Sequence, residues 1–505
     1  MSDDRIPVLI GTGQLVERDV DPREATEPLA MLEKVARDAA RDASAGENLL
    51  RSIDTVAVLN VAGWEARNPA QVVGEKLGSH PKHTFTSEMG GQIGVTAANL
   101  IAERITRGET RIAFIGGCNN MRTLMQAMKQ GVQLDWTVGG TTDPEMIGSA
   151  EPGSSELEGK YGMVMPPDIY PIFENAMRAS RGSDLETHRK SMGRLFSKFT
   201  DVAAANPYAW FPVARSAEEI TNATPNNRMI AFPYTKYLNA VLNTDQAAGF
   251  FLVSAEAARS LGVPESRWLY WWGGAKSQEE AWWPSERPDF AACPAMLDAH
   301  MGALQNAGVG VDDIGRFDFY SCFPVAVEMA LKQLGIREDD PRGFTVTGGL
   351  PYGGGPASGY TLHSIATMAD RLRESPGMKG LVTGNGWYLT KHTASVWSTE
   401  RKPGAAPTAE MPARRASHDR GLTTAPAKVD ETATGPATIE AYTVLYDREG
   451  APARGIVLGR TADGKRFLAN TPADRALLEA FVGREEVGRS GTVSIRDGMS
   501  VFTPS

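Results

Sequence analysis

Cysteine is scarce in this chain of 505 residues: only Cys118, Cys293 and Cys322 occur. Three cysteines cannot build a disulfide framework, and none of their spacings is that of a zinc site, so no metal is expected. A reducing, cytoplasmic compartment fits that usage. Long apolar runs are missing as well. No stretch approaches the roughly 20 residues that span a bilayer, and Met1-Ser-Asp-Asp-Arg-Ile6 lacks the apolar core of a signal peptide. Long basic runs are absent and the formal net charge is -9. Nucleic acid or an anionic membrane is therefore not the expected partner. A small anionic ligand stays open, because binding depends on local groups rather than on net charge.

What is present is the make-up of an ordinary globular protein, 42% apolar and 22% charged, long enough for several domains. Residues 6–13 read as a buried strand ending in glycines, 27–43 as a helix, 53–61 as a strand and 69–77 as a helix. The stretch Thr84-Phe-Thr-Ser-Glu-Met-Gly-Gly-Gln-Ile-Gly94 leads into a helix carrying Ile93, Ala97, Ile101 and Ile105. A strand at 111–117 ends at Cys118. This alternation argues for an α/β core with a largely parallel sheet. Residues 119–240 break the pattern. They are rich in Met, Asn, Pro and aromatics, with helices at 169–180 and 185–205, and read as an insertion covering one face.

Strand and helix patterns resume at 245–254 and 255–261, followed by an aromatic strand at 268–274 and a helix at 294–307. Pro324 opens a further helix, at a position where its missing N–H costs nothing. In the Gly- and Pro-dense stretch 345–364, a β-type run over 343–347 meets a turn and then a helix over 365–372. Glycines at that density let a backbone approach a ligand closely, and free N–H groups at a helix start bind anions or developing oxyanions. A last strand runs into Gly384-Asn-Gly-Trp-Tyr-Leu-Thr-Lys-His392. Residues 401–437 have linker composition. Residues 438–505 read as four short strands and a helix, which suggests a small OB-type barrel. A faint repeat pairs the turn and helix from Gly90 with those from Pro324, and Gly116-Gly with Gly384-Asn-Gly.

Taken together these segments resemble the thiolase superfamily over about residues 1–400. Asp245-Gln-Ala-Ala-Gly before Ser254-Ala-Glu-Ala-Ala, Gly116-Gly-Cys-Asn-Asn-Met121 and Tyr320-Ser-Cys-Phe323 each look like a thiolase segment, the last like that of sterol-carrier-protein-type thiolases. A further likeness is to the thiolase-like protein type 1 group, which adds a C-terminal domain. It rests on Pro171 with Phe173-Glu-Asn-Ala, Asn206-Pro-Tyr-Ala-Trp210, Asn227-Arg-Met-Ile-Ala-Phe-Pro-Tyr-Thr-Lys236 and Thr390-Lys-His392. The resemblance implies two similar α/β halves in an αβαβα layering. The first covers 1–270, including a loop domain at about 119–240, and the second covers 271–400. A linker at 401–437 and an added OB-like domain at 438–505 would follow.

The departures bear on chemistry. Thiolases use a cysteine at the start of a buried helix, where the helix dipole and backbone N–H groups lower the thiol pKa and bind the thioester oxyanion. The matching place here is Glu88-Met-Gly-Gly91. The family's histidine falls on Gly355 and its second cysteine on Gly384. All three reacting side chains are missing. Cys322 is the one cysteine in a matched motif, with His363 or His392 as a base, and a buried inert thiol as the alternative. Tyr320 stands where the motif has Asn or His. Glu88 reads either as a base or as an ion-pair partner. Gly386 N–H would serve as an oxyanion donor. Met89, Gly90, Asn385, Arg228 and Lys236 are the expected substrate and coenzyme A contacts, with Arg215 beside them.

The resemblance implies an acyl-CoA-binding protein and an acyltransferase of the acetyl-CoA acetyltransferase kind, moving groups other than amino-acyl groups, in lipid metabolism. Coenzyme A thioester would be substrate or ligand, with no covalently bound cofactor. Two alternatives stand beside this: a retro-aldolase or lyase on CoA esters using Tyr320, Tyr352 and Tyr360 as acid/base groups, and a non-catalytic CoA-ester binder. A monomer is expected, with a homodimer left open. The extra glycines of 345–364 are expected to open space or reshape the backbone beside the thioester, and whether His363, further along that stretch, reaches the vacancy at Gly355 is a question for the structure.

Overall fold

The computed structural model describes residues 3–505. Strands of the body are β1 (Pro7–Val16), β2 (Thr55–Val58), β3 (His83–Ser87), β4 (Ile112–Asn120), β5 (Glu145–Ile147), β6 (Asp245–Ser254), β7 (Leu269–Gln278), β8 (Arg316–Asp318), β9 (Lys379–Gly386) and β10 (Lys391–Ser398). They form one ten-stranded sheet in the order β8-β9-β10-β7-β1-β6-β4-β2-β3-β5. Outward from the central β1–β7 pair the order repeats. One side runs β1, β6, β4, β2, β3, and the other runs β7, β10, β9, β8. Two similar halves therefore meet back to back, as the resemblance implied.

The sheet is mixed rather than largely parallel. The pairs β2–β3, β2–β4, β3–β5 and β8–β9 are parallel. The last strand of each half turns antiparallel, β6 against β1 and β4, and β10 against β7 and β9. The halves also join antiparallel, with Leu9 opposite Leu269.

Helices are α1 (Pro28–Asp42), α2 (Pro69–Lys76), α3 (Ile93–Arg107), α4 (Pro166–Ser180), α5 (Leu185–Ala205), α6 (Pro294–Ala307), α7 (Pro324–Leu334) and α8 (Tyr360–Arg373), with shorter ones between. On α3 the buried Ile93, Ala97, Ile101 and Ile105 recur at helical spacing, and Gly108 ends the helix in the left-handed conformation (φ 78°). α3 and α8 form the inner layer. Their apolar faces share one core with Phe85, Ile115, Phe250, Leu252, Trp271 and Trp397 of the strands. α1 covers the outer face of the first half, and α6 and α7 with the inserted helices α4 and α5 cover that of the second. Structurally α3 corresponds to α8, each following the third segment of its half. The repeat expected between the turns at Gly90 and Pro324 is corrected accordingly, while Gly116 and Gly384 do lie on corresponding strands, β4 and β9, though Gly116 is within the strand rather than in a turn.

Residues 343–347 do not form a strand. The Asp318 carboxylate at the end of β8 accepts hydrogen bonds from Val346 N–H (2.8 Å), Thr347 N–H (3.3 Å), Thr345 Oγ1 (3.1 Å) and Thr347 Oγ1 (3.2 Å). The segment's donors are thus met by a side chain instead of a ladder. α8 begins five residues before the expected 365, which places His363 inside its first turn.

The C-terminal strands β11 (Gly435–Tyr446), β12 (Pro452–Thr461), β13 (Arg466–Asn470), β14 (Ser490–Arg496) and β15 (Met499–Pro504) close a five-stranded barrel in the order β11-β12-β13-β15-β14 and back to β11. It has its own core around Tyr442, Phe467, Phe481 and Phe502. The fifth strand was not anticipated. The inserted segment Met229–Ala231 pairs with the C-terminal end of β11, Ala231 opposite Leu445. Residues 401–437 run along the body, where Ser417 N–H and Oγ both donate to Asp298 at 2.8 Å.

Candidate functional site

The start of α3 faces the end of β9 and the loop after β8. Two of these elements carry Gly91 and Gly384, in the stretches where the resemblance places catalytic cysteines, and packing leaves no room for a side chain at either. A Cβ built on Gly91 would lie 2.0 Å from Tyr320 Oη and 2.5 Å from the Asn385 carbonyl oxygen. A Cβ on Gly384 would lie 2.6 Å from Gln92 Cα, and one on Gly355 would lie 3.1 Å from the Val241 carbonyl oxygen. Within 345–364, a Cβ on Gly348 would lie 2.5 Å from the Ala203 Cβ and one on Gly349 2.6 Å from Ser321 Oγ, so the glycines there let neighbouring groups pack close and shape the backbone rather than open space.

Gln92 anchors the arrangement. Its Nε2 donates to Glu88 Oε1 (2.9 Å). Lys391 Nζ donates to Glu88 Oε2 (2.7 Å), and Ser149 N–H donates to the same oxygen (3.2 Å). Lys391, Glu88 and Gln92 are all buried. The Lys391 ammonium lies 5.4 Å from the Trp387 ring centre and 5.9 Å from that of Trp282. Glu88 is thus an ion-pair partner. The turn joining β9 to β10 is strained, with Trp387 (φ 54°) and Leu389 (φ 57°) both left-handed. Its carbonyls are pinned from both sides. Arg287 donates to Leu389 O (2.9 Å) and Tyr388 O (3.3 Å), and Tyr170 Oη donates to Trp387 O (2.9 Å).

Glu88, Gln92, Glu279, Lys391 and His392 form part of the wall of a cavity of about 830 Å³ that continues along α3 past Thr96 to Glu103 and is bordered by Arg415 and Ser417. Neither Tyr320 nor Cys322 belongs to that wall.

The expected site residues divide into two groups. Tyr320, Cys322, Asn385 and Gly386 come together. Asn385 Nδ2 donates to Tyr170 Oη (2.9 Å) and lies 3.8 Å from Cys322 Sγ. Gly90 and Gly386 flank the Gln92 amide, whose Oε1 would lie 2.3 Å and 1.9 Å from a Cβ on either. Met89, beside them, is largely exposed. Burial pushes the Cys322 thiol up to about 12, against the opposing pull of neighbouring Tyr170, the backbone and Asn385. Burial, then Cys322, likewise raises the Tyr320 phenol.

The histidines stand apart. His363 Nδ1 is 2.8 Å from Gln14 Oε1 of β1, and burial lowers its pKa to about 3. Gln14, rather than the Gly355 position, is its partner. His392 Nε2 is 3.2 Å from Cys293 Sγ, and burial, then His300, lowers its pKa to about 3. Neither ring is hydrogen-bonded to Cys322. Arg228 donates to Met229 O (3.1 Å) and Asp447 O (3.4 Å), tying the insertion to the barrel. Lys236 is exposed, and the Arg215 guanidinium lies 4.3 Å from the Tyr237 ring centre. Tyr360 Oη bonds Thr347 Oγ1 (2.8 Å) and Asp318 Oδ1 (3.3 Å), while buried Tyr352 Oη has no partner.

Three residues with clear roles here were missed: Gln92, Lys391 and Tyr170. Gln92 directly follows Gly90-Gly91, and Lys391 precedes His392, so both lay inside segments already singled out. Tyr170 gave no local signal.

Elsewhere, Glu174, His188 and Glu328 hold ligand-type atoms within 4.8 Å of one another. Each has a partner within the protein, His188 Nε2 lying 2.6 Å from Glu174 Oε1 and Arg181 Nη1 2.8 Å from Glu328 Oε2.

Comparison with known proteins gives the lineage. Residues 422–498 match the thiolase-like protein type 1 additional C-terminal domain. No curated protein matches. Among solved structures, a monomeric SCP2-thiolase like protein type 1 (STLP1) from Mycobacterium smegmatis is 33% identical over 100% of both chains, with a TM-score of 0.83. The Ltp2-ChsH2(DUF35) aldolase is 18% identical over 80% of this chain and 100% of that chain (TM-score 0.57). Acetyl-CoA acetyltransferase from Syntrophomonas wolfei is 15% identical over 78% of this chain and 99% of that chain (TM-score 0.56). The last two share the fold alone. With that fold, the repeated halves, the added barrel and the full-length match, the chain belongs to the SCP2-thiolase-like protein type 1 family.

Proposed function

We propose that this protein binds a coenzyme A thioester at the start of α3 and cleaves a carbon–carbon bond of its acyl group by a retro-aldol reaction, without an acyl-enzyme intermediate. The observation that carries this reading is the Tyr320 hydroxyl, which fills the space beside Gly91, in the stretch Glu88–Gly91 that matches the family's nucleophile segment. A phenol there exchanges protons but forms no thioester. In the reaction the acyl C3 hydroxyl gives up its proton and becomes a carbonyl. The C2–C3 bond breaks with its electron pair going to C2, and C2 takes up a proton. The thioester carbonyl stabilises the intervening enolate, with a backbone N–H at the α3 start as oxyanion donor, and Tyr320 passes the proton.

Acyl transfer through Cys322 is the second reading, favoured by the proximity of its sulfur to Asn385 in the Gly384-Asn-Gly386 turn. One experiment separates the two. The full chain is incubated with a panel of acyl-CoA and 3-hydroxyacyl-CoA esters, and products and intact protein mass are followed. Aldehyde or ketone release that survives Cys322→Ala and is lost in Tyr320→Phe supports cleavage. An acyl adduct abolished by Cys322→Ala supports transfer. Binding without turnover leaves a CoA-ester binder, and no binding overturns every thioester reading.

A further inference from the structure

Gln92 has a polar atom with nothing to bond. Its side chain is 4% exposed, and Oε1 is buried without a hydrogen-bond donor. The orientation of the amide is set by its neighbour. Glu88 carries the ion pair with Lys391, and a carboxylate only accepts, so the NH₂ end must face Glu88 Oε1. The carbonyl end is turned the other way, toward Gly90 and Gly386. A Cβ at either of those positions would overlap it, so glycine at both is what lets the oxygen lie at the head of α3. Lys391 is the cross-strand partner of Gly386, so one rung of the β9–β10 ladder supplies both the base of the Lys391–Glu88–Gln92 chain and the glycine beside its tip. A buried ion pair is costly to desolvate and is weak evidence for stability. Its effect here is to fix one amide oxygen.

A buried acceptor held ready in this way is satisfied by a ligand O–H or N–H. Resting on the thioester reading above, we propose that Gln92 Oε1 accepts a hydrogen bond from a hydroxyl on the acyl chain, so that the site selects 3-hydroxyacyl thioesters over the unsubstituted acyl thioesters. Gln92 contacts substrate, and Glu88 and Lys391 are positioning residues that act through it. Selection arises because an unsubstituted chain buries the acceptor unpaired. A site built to bond a hydroxyl rejects the analogue that lacks it far more strongly than a hydrophobic pocket rejects a methylene.

The test is titration calorimetry of the full chain with a 3-hydroxyacyl-CoA and the acyl-CoA of equal chain length. The wild type is expected to bind the hydroxylated ester at least about tenfold more tightly. Gln92→Met, close in volume but without the acceptor, is expected to bring that ratio to about one by weakening the hydroxylated ester alone. The paired variant Glu88→Gln with Lys391→Met is expected to lower the ratio as well, and Lys391→Arg to retain most of it. Equal affinity of the wild type for both esters overturns the inference and leaves the thioester reading standing, and this result needs no variant to fold. A ratio unchanged in Gln92→Met, with a melting curve showing the variant folded, also overturns it. If neither ester binds the wild type, the thioester reading itself falls.

Discussion

The Tyr320 hydroxyl lies 2.0 Å, and its ring carbon Cζ 2.2 Å, from the point where a side chain on Gly91 would begin. The two residues exclude one another. Restoring a cysteine at 91 is therefore expected to destabilise the fold by about 1–3 kcal/mol, through overpacking, and not to revive thiolase chemistry. In a Tyr320→Ala background the same substitution is expected to cost less by more than about 1 kcal/mol, the non-additivity of a direct clash. Urea denaturation of the four proteins in the cycle measures it. Additive effects would mean that Gly91 and Tyr320 do not compete for one space.

The Lys391–Glu88 pair is buried on both sides, with side-chain exposures of 8% and 5%. Lys391→Met leaves a buried carboxylate facing only Gln92 Nε2 and Ser149 N–H. A loss of about 3–5 kcal/mol is expected, the usual cost of stranding one partner of such a pair. Adding Glu88→Gln removes the stranded charge and is expected to recover most of that loss. A double variant as unstable as the single one would show that packing of the Lys391 stem between Trp282 and Trp387, rather than charge, governs the site.

How far the sequence discloses this site depends on whether the relevant contacts are local. The helix 185–205 was legible to the residue because its signals lie within it. Asp184 caps the first turn by accepting from Thr187 N–H at 2.8 Å, and Met192, Phe196 and Phe199 recur on one face. The segment 345–347 has a strand-like Thr-Val-Thr pattern, yet its donors go to Asp318, a partner 27 residues away for Thr345. No periodicity announces that. The missing nucleophile was visible as glycine at a matched position, but its replacement was not. Glu88 and Lys391 are 303 residues apart, and Tyr170 and Asn385 are 215 apart. Such pairs exist only once two repeated halves fold back to back. The histidines show the converse: their positions in matched segments suggested a shared site, whereas burial directs one to Gln14 and the other to Cys293.

All three thiols are buried. Burial holds each above its ordinary range, and Cys322 at about 12. The thiolate is the reactive form, so at pH 8 the native chain is expected to consume almost no Ellman's reagent or iodoacetamide over minutes. All three residues should react once the chain is denatured. Rapid native labelling that mass spectrometry maps to Cys322 would restore acyl transfer as the leading chemistry. Slow labelling of all three supports the tyrosine-centred reading.

The cluster under the insertion predicts a pH dependence of stability. Glu328 is fully buried. Desolvation first, then the like charge of Glu174, raises its pKa from 4.5 to about 8, against the pull of His188 and Arg181. Between those values the folded chain holds a proton that the unfolded chain has released. The contribution of Glu328 is thus fully present below pH 4.5 and is lost as pH rises through about 8. His188 acts in the same sense. Burial pulls its pKa down, but the hydrogen bond and charge of Glu174 outweigh that and leave it raised, so its stabilisation is also lost as pH rises. Chemical denaturation from pH 5 to 9 is expected to show stability falling toward the alkaline end, by up to about 1.4 kcal/mol per pH unit for one such group. Glu328→Gln, neutral at every pH, is expected to flatten the part due to Glu328 and to leave a weaker slope from His188. A slope unchanged in Glu328→Gln would place the titrating group elsewhere and make the Arg181–Glu328 contact an ordinary ion pair of a charged carboxylate.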